Sequence, residues 1–235
     1  MTLDLTAVAN GDRRAVARAL SAIEADPGEA PAERLGPAPV IGITGPPGVG
    51  KSTLVNALLV ELRRSGKQVA VVAVDPSSPL TGGALLGDRI RMQDHIDDAG
   101  VFVRSMAARG HLGGLAPTTT GAVNLLTGAG FDLVIVETVG VGQSEVEIMN
   151  LADIVVLVVA PGWGDQIQAD KAGVVEIADL FVINKADRDG VESLRRALAE
   201  VARSGSGERP VLTTVATTGQ GVRSLAERLL AQASG

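Results

Sequence analysis

Apolar residues in this chain arrive in short unbroken runs, separated by stretches with helical spacing. The runs predict strands at Val40–Thr44, Val69–Val74, Val101–Arg104, Leu133–Glu137, Ile154–Val159, Leu180–Asn184 and Val211–Thr214. Several are continuous rather than alternating, the pattern of strands buried on both faces. The expected fold is therefore α/β, with a mostly parallel central sheet flanked by helices. Ahead of the first run, Leu5, Val8, Val16, Leu20 and Ile23 keep helical spacing across Leu5–Ala25. Asn10-Gly11-Asp12 interrupts them, which predicts two helices or one broken helix. Pro27–Pro39 is rich in Pro, Ala and Glu and reads as a linker. Residues 1–39 are thus expected to form a short N-terminal helical extension with its linker, and 40–235 the main domain, ending in a helix over Val222–Ala233.

Composition narrows the function. Hydrophobic residues make up 46% of 235, enough for a large core. The longest strong run, Ile154–Ala160, is only strand-length, far short of the ~20 residues that span a bilayer. Asp4 near the start and the lack of a basic leading segment argue against a secretory signal, so a cytoplasmic protein with no membrane association is expected. Cysteine is absent, and two histidines, His95 and His111, cannot build a metal cluster alone. A net charge of −6, 2% aromatics and no tyrosine disfavour a nucleic-acid partner, which needs stacking platforms in a positive groove.

The strongest chemistry lies in Gly45-Pro46-Pro47-Gly48-Val49-Gly50-Lys51-Ser52, followed by Thr53. It fits GxxxxGK[ST] between a strand and a helix expected to start near Ser52. Backbone N–H groups of such a loop point at phosphates, and the helix N-terminus adds about half a positive charge. Lys51 is expected to reach the outer phosphates and the Ser52 hydroxyl to ligate Mg2+.

Asn184-Lys185-Ala186-Asp187 closes the sixth run. An aspartate there can accept from guanine N1–H and the 2-amino group, donors that adenine lacks, so GTP is expected over ATP. Ala216 and Thr217, after the last run, are further candidates at the base. Glu137 ends another buried run and precedes Thr138-Val139-Gly140; its carboxylate is placed to hold magnesium, with Gly140 N–H a candidate for the γ-phosphate. Asp75 ends the Val69–Val74 run and is a second metal candidate, whereas Asp88 merely lies in a polar loop. Gln143 is a candidate to orient the attacking water, and Arg89, Arg91 and Arg109 to stabilise the transition state or contact a partner.

GPPGVGKST, DPSSP, GDRIRM, RGHLGG, ETVGVGQSE, PGWGDQIQADKAGVVEIAD and NKAD occur in one order. Together they resemble the MeaB/ArgK-type G proteins, the group that includes the methylmalonic aciduria type A protein, over roughly Leu5 to Leu230. The resemblance implies a signal-recognition-like P-loop GTPase that works as a chaperone of an adenosylcobalamin-dependent acyl-CoA mutase. It implies GTP/GDP and Mg2+ as ligands, with Ser52, Asp75, Asp88 and Glu137 around the metal. It also implies a third switch over Ala160–Lys171, with Asp165, Gln168 and Lys171 at its polar positions and Lys171 sensing nucleotide or partner. The cobalamin adenosyltransferase is a second candidate partner. Typical members continue into a helical dimerisation arm; this sequence stops at Gly235, which puts the usual homodimer contact in question. Trp163 sits between two glycines in the third switch. Three other readings stay open: a metal-insertion GTPase, a kinase on the same loop, and a nucleotide-gated module with negligible turnover.

Overall fold

The computed structural model describes residues 3–75, 95, 97–107, 117–138, 151–162, 174–203 and 209–234. Among the described residues seven parallel strands form one sheet: β1 (Val40–Thr44), β2 (Val69–Asp75), β3 (Val101–Ala107), β4 (Leu133–Thr138), β5 (Ile154–Val159), β6 (Leu180–Ile183) and β7 (Val211–Thr213). Their order is β3-β2-β4-β1-β5-β6-β7, so the chain starts in the middle, works out to one side and then to the other. That reversal beside β1 opens a crevice at the carboxyl ends of the strands, where ligands of such sheets bind.

The strands fall where the apolar runs predict, with different ends. β2 keeps pairing with β3 as far as Asp75↔Ala107, so Asp75 is the last strand residue rather than the first of a turn. β3 runs three residues past Arg104. It lies at the end of the sheet order, and an edge strand tolerates Arg104 and Ser105 on its half-exposed faces. β6 stops one residue earlier than predicted because Lys185 turns into the left-handed region at φ 57.

Among the described residues the helices are α1 (Leu5–Ala9), α2 (Arg13–Ala25), α3 (Lys51–Arg64), α4 (Pro117–Thr127), α5 (Val174–Ile177), α6 (Val191–Ala202) and α7 (Val222–Ala233). Helix α3 forms because Leu54, Val55, Leu58, Leu59 and Leu62 recur on one face, while Arg63 and Arg64 complement the dipole at its last turn. Each of those buried leucines contributes about 1.5–3 kcal/mol. They pack with α7 on one sheet face, against Ile41, Ile43, Ile135, Val156 and Val158. The far end of α3 is clamped: Arg63 Nε donates to both Asp98 oxygens at 3.1 and 2.9 Å, and Gly100 N–H donates to Asp98 Oδ1 at 2.7 Å. The Arg63 guanidinium, and then that N–H, hold the Asp98 carboxyl below its usual value.

The opposite face is covered by α1, α2 and α4. Val8, Val16, Leu20 and Ile23 share a core with Val40, Val72, Val134, Val136 and Leu125. The Asn10-Gly11-Asp12 break is real: Gly11 has φ 75, and Asp12 caps α2 by accepting from the N–H groups of Arg14 and Ala15. Arg13 Nη2 reaches Val101 O of β3 at 2.6 Å, and Arg104 of β3 pairs with Glu24 of α2. The proline-rich stretch is laid down on the domain: Asn124 Nδ2 donates to Pro31 O, and Arg34 pairs with Asp153 at 2.7 Å. Among the described residues no helix is long and apolar enough to cross a membrane.

Candidate nucleotide site

The glycine loop joins β1 to α3 at the centre of the sheet. Gly45 has φ 139, and a Cβ there would lie 2.0 Å from Val158 O of β5, so no larger residue fits. Gly50 has φ 94 and contributes no side-chain cap to α3. A Cβ on it would lie 2.6 Å from Asn184 Nδ2. Pro47 and Gly48 are exposed while Val49 is buried, so the loop is pinned beneath and open above. Together these features leave a helix N-terminus facing an open loop, the setting that attracts a phosphate.

Lys51 is buried, with Nζ donating to Gly45 O at 2.6 Å and Pro46 O at 2.9 Å. Its ammonium thus sits inside the arch that the loop makes. Ser52 Oγ donates to Glu137 Oε1 at 2.6 Å, both residues being buried. The pairing follows from strand alternation: Glu137 lies two residues beyond Ile135, on the face that packs against α3. A hydroxyl and a carboxylate side by side are hard oxygen donors and fit Mg2+, which keeps several waters and binds through one or two carboxylates plus phosphate oxygens. Among the described residues no group of three or more His, Cys, Asp and Glu forms a dedicated cage.

The base-side motif is tied directly to the phosphate loop. Asn184, 2% exposed, donates from Nδ2 to Val49 O at 2.9 Å. Its Oδ1 accepts from Thr214 Oγ1 and from Ala216 N–H, each at 3.1 Å. Lys185 Nζ donates to Gly48 O at 2.7 Å. Left-handed backbone at a non-glycine costs about 1–2 kcal/mol. Here Ala186 N–H to Thr214 O at 3.0 Å and the Lys185–Gly48 bond hold it. Asp187 and Thr217 are exposed beside this junction, and the Ala216 N–H is engaged by Asn184.

Gly45 to Gly50, Glu137, Asn184, Lys185, Asp187, Ala216 and Thr217 therefore lie at carboxyl ends of strands or in the loops leaving them, and Lys51, Ser52 and Thr53 form the first turn of α3. Asp75 also ends a strand, but its side chain lies outside the described residues, as do Asp88, Arg89, Arg91, Arg109, Gly140, Gln143, Trp163, Asp165, Gln168 and Lys171. Two buried hydroxyls escape sequence reasoning: Thr138 Oγ1 donates to Thr44 Oγ1 at 3.1 Å. The available signal was a threonine ending one apolar run and a threonine directly after another.

A glycine loop at the switch point of a parallel sheet, bound to a second loop with the guanine-type motif, makes this fold that of a P-loop GTPase. Comparison with known proteins gives the family. The family model described as methylmalonyl-CoA mutase-associated GTPase MeaB matches residues 17–234. A Pyrococcus horikoshii protein named as a GTPase is 52% identical over 232 residues, covering 93% of this chain and 73% of that one. The mouse mitochondrial methylmalonic aciduria type A homolog is 44% identical over 160 residues, covering 68% of this chain and 39% of that protein. Among solved structures, a LAO/AO transport system kinase superposes with a TM-score of 0.72 at 29% identity, covering 98% of this chain and 74% of that one. The chain belongs to the MeaB family of GTPases.

Proposed function

We propose that this protein binds GTP with Mg2+, hydrolyses it slowly on its own, and uses the cycle to gate cofactor loading and protection of an adenosylcobalamin-dependent acyl-CoA mutase. The observation that carries the nucleotide reading is Asn184: one buried amide bonds both the phosphate loop and the loop after β7. A ligand held by its phosphates and its base at once meets a pocket whose two ends are already joined.

In this reading Lys51 exchanges the carbonyls of Gly45 and Pro46 for the outer phosphates of GTP. Ser52 and Glu137 hold Mg2+ directly or through water, and Asp75 and Asp88 complete its surroundings. The metal supplies charge neutralisation at the β- and γ-phosphates. The Ser52–Glu137 bond is exchanged for this role, so it keeps both groups in place beforehand. Asp187 accepts from the guanine edge, with Ala216 and Thr217 lining the base. Gly140 contacts the γ-phosphate, Gln143 orients the water for in-line attack, and Lys171 senses the occupied state. Catalysis is positioning and charge compensation without a covalent intermediate. Loss of the γ-phosphate releases the loops it ordered, and the client reads that change.

The family description, a mutase-associated GTPase, supports the client assignment. The cobalamin adenosyltransferase is a second partner by the same logic, and a homodimer is a matter for sizing in solution. The deciding experiment is a pull-down with the protein held on a non-hydrolysable GTP analogue and, separately, on GDP. Capture of a cobalamin-dependent mutase in a nucleotide-dependent manner supports the role. Binding of no such enzyme in either state removes the chaperone reading and leaves the GTPase.

A further inference from the structure

Backbone pairing between β1 and β4 ends at Ile43↔Glu137. One residue further, Thr44 pairs with Leu157 of β5, and Thr138 pairs with Val74 of β2. The two central strands therefore part company just where the chain enters the phosphate loop on one side and Val139-Gly140 on the other. At that step the hydroxyl of Thr138 donates to the hydroxyl of Thr44 at 3.1 Å, both side chains fully buried. Strand alternation puts this bond on the α2/α4 face, with Val134 and Val136. The Ser52–Glu137 bond lies on the α3 face. Among the described residues the end of β4 is thus tied to the phosphate-loop unit by a side-chain bond on each face. A cation that recruits Ser52 and Glu137 changes one of them and leaves the hydroxyl pair intact.

We propose that Thr138 is a positioning residue whose hydroxyl, bonded to Thr44, fixes the end of β4 against the root of the phosphate loop and so favours the triphosphate over the diphosphate. The inference rests on reading the pocket as a GTP site. Gly140, two residues after Thr138, is assigned to the γ-phosphate, and GDP has none to offer it. Loosening the root of that segment weakens GTP selectively, whereas damage to the phosphate loop weakens both nucleotides. Burial of an apolar methyl in place of the hydroxyl keeps the shape, so the valine variants retain the fold. Serine at Thr138 keeps the donor.

The test is titration of the full chain with a non-hydrolysable GTP analogue and with GDP, in magnesium, for wild type, Thr138→Val, Thr138→Ser, Thr44→Val and the double valine variant. Removal of one buried hydrogen bond is expected to lower the GTP-over-GDP affinity ratio about three- to tenfold in either valine variant. Thr138→Ser is expected to keep the wild-type ratio, and the double variant to lose no more than a single one. Equal weakening of both nucleotides, an unchanged ratio, or fully additive losses overturns the proposal while the GTP site stands. A wild-type protein that binds neither nucleotide overturns both.

Discussion

Replacing Asn184 with alanine is the sharpest perturbation of this pocket. The amide makes three bonds of good geometry, to Val49 O at 2.9 Å and from Thr214 Oγ1 and Ala216 N–H at 3.1 Å each. A fourth contact, to Gly50 O at 3.4 Å, is long enough to neglect. A buried bond is worth about 1 kcal/mol net, and stranded partners raise the cost, so three predict a loss of about 3 kcal/mol. In a domain of this size that lowers the melting temperature by about 6–12 °C without nucleotide. It also unties the phosphate loop from the base loop before any ligand arrives. A ligand spanning both ends must then restore the geometry itself, and GDP affinity is expected to fall by up to about 100-fold. Differential scanning calorimetry of the free protein and isothermal titration with GDP measure the two quantities. A melting temperature within about 2 °C of wild type would mean that water or a shifted loop replaces the amide, and the bridging role would be refuted.

Further expectations concern charge and base selection. Glu137→Gln removes the carboxylate charge beside Ser52, and the magnesium needed for half-maximal GTP hydrolysis is expected to rise about 10–100-fold. An unchanged magnesium titration would take Glu137 out of the metal site. Asp187→Ala removes the acceptor assigned to guanine, and the preference for GTP over ATP is expected to drop at least about 100-fold in competition binding. Retained preference would move base recognition elsewhere. Asp98 has its folded pKa held below the ordinary 3.8, so near that value the unfolded chain binds more protons than the folded one. Its stabilisation is therefore present above the ordinary value and disappears as pH falls through the folded one. Thermal melts from roughly pH 2 to 5 are expected to show a shallower acid limb for Asp98→Asn, and superimposable limbs would contradict this.

Contiguous features were legible in the sequence. Buried parallel strands advertise themselves as apolar runs, and the phosphate loop is one segment whose glycines are forced by the approach of Val158 O and Asn184. What escaped depends on residues brought together from afar. The Asn184–Val49 bond joins residues 135 apart and the Thr138–Thr44 bond residues 94 apart; neither spacing has a periodic signature. The last three residues of β3 escaped because Arg104 and Ser105 break the apolar run and look like its end until an edge position excuses them. The stretch Pro27–Pro39 looks like a tether by composition, yet its carbonyls and arginine have partners on α4 and near β5. Within the site, Asp88, Gly140, Gln143 and Lys171 lie outside the described residues; the roles of Gly140 and Gln143 rest on sequence position, those of Asp88 and Lys171 on the family resemblance, and all on the proposal above.

The arginine that α2 sends to β3 has a consequence for life in a crowded cell. Gly100 O points inward to Val69 N–H, so Val101 O faces away from the sheet, toward any strand that would add itself there. Arg13 occupies that acceptor, and the Arg104–Glu24 pair stands guard three residues on. The N-terminal helices thus act as a bumper along a margin that pairs with no further strand among the described residues, and a protein shorn of them would present a stickier border to its own copies.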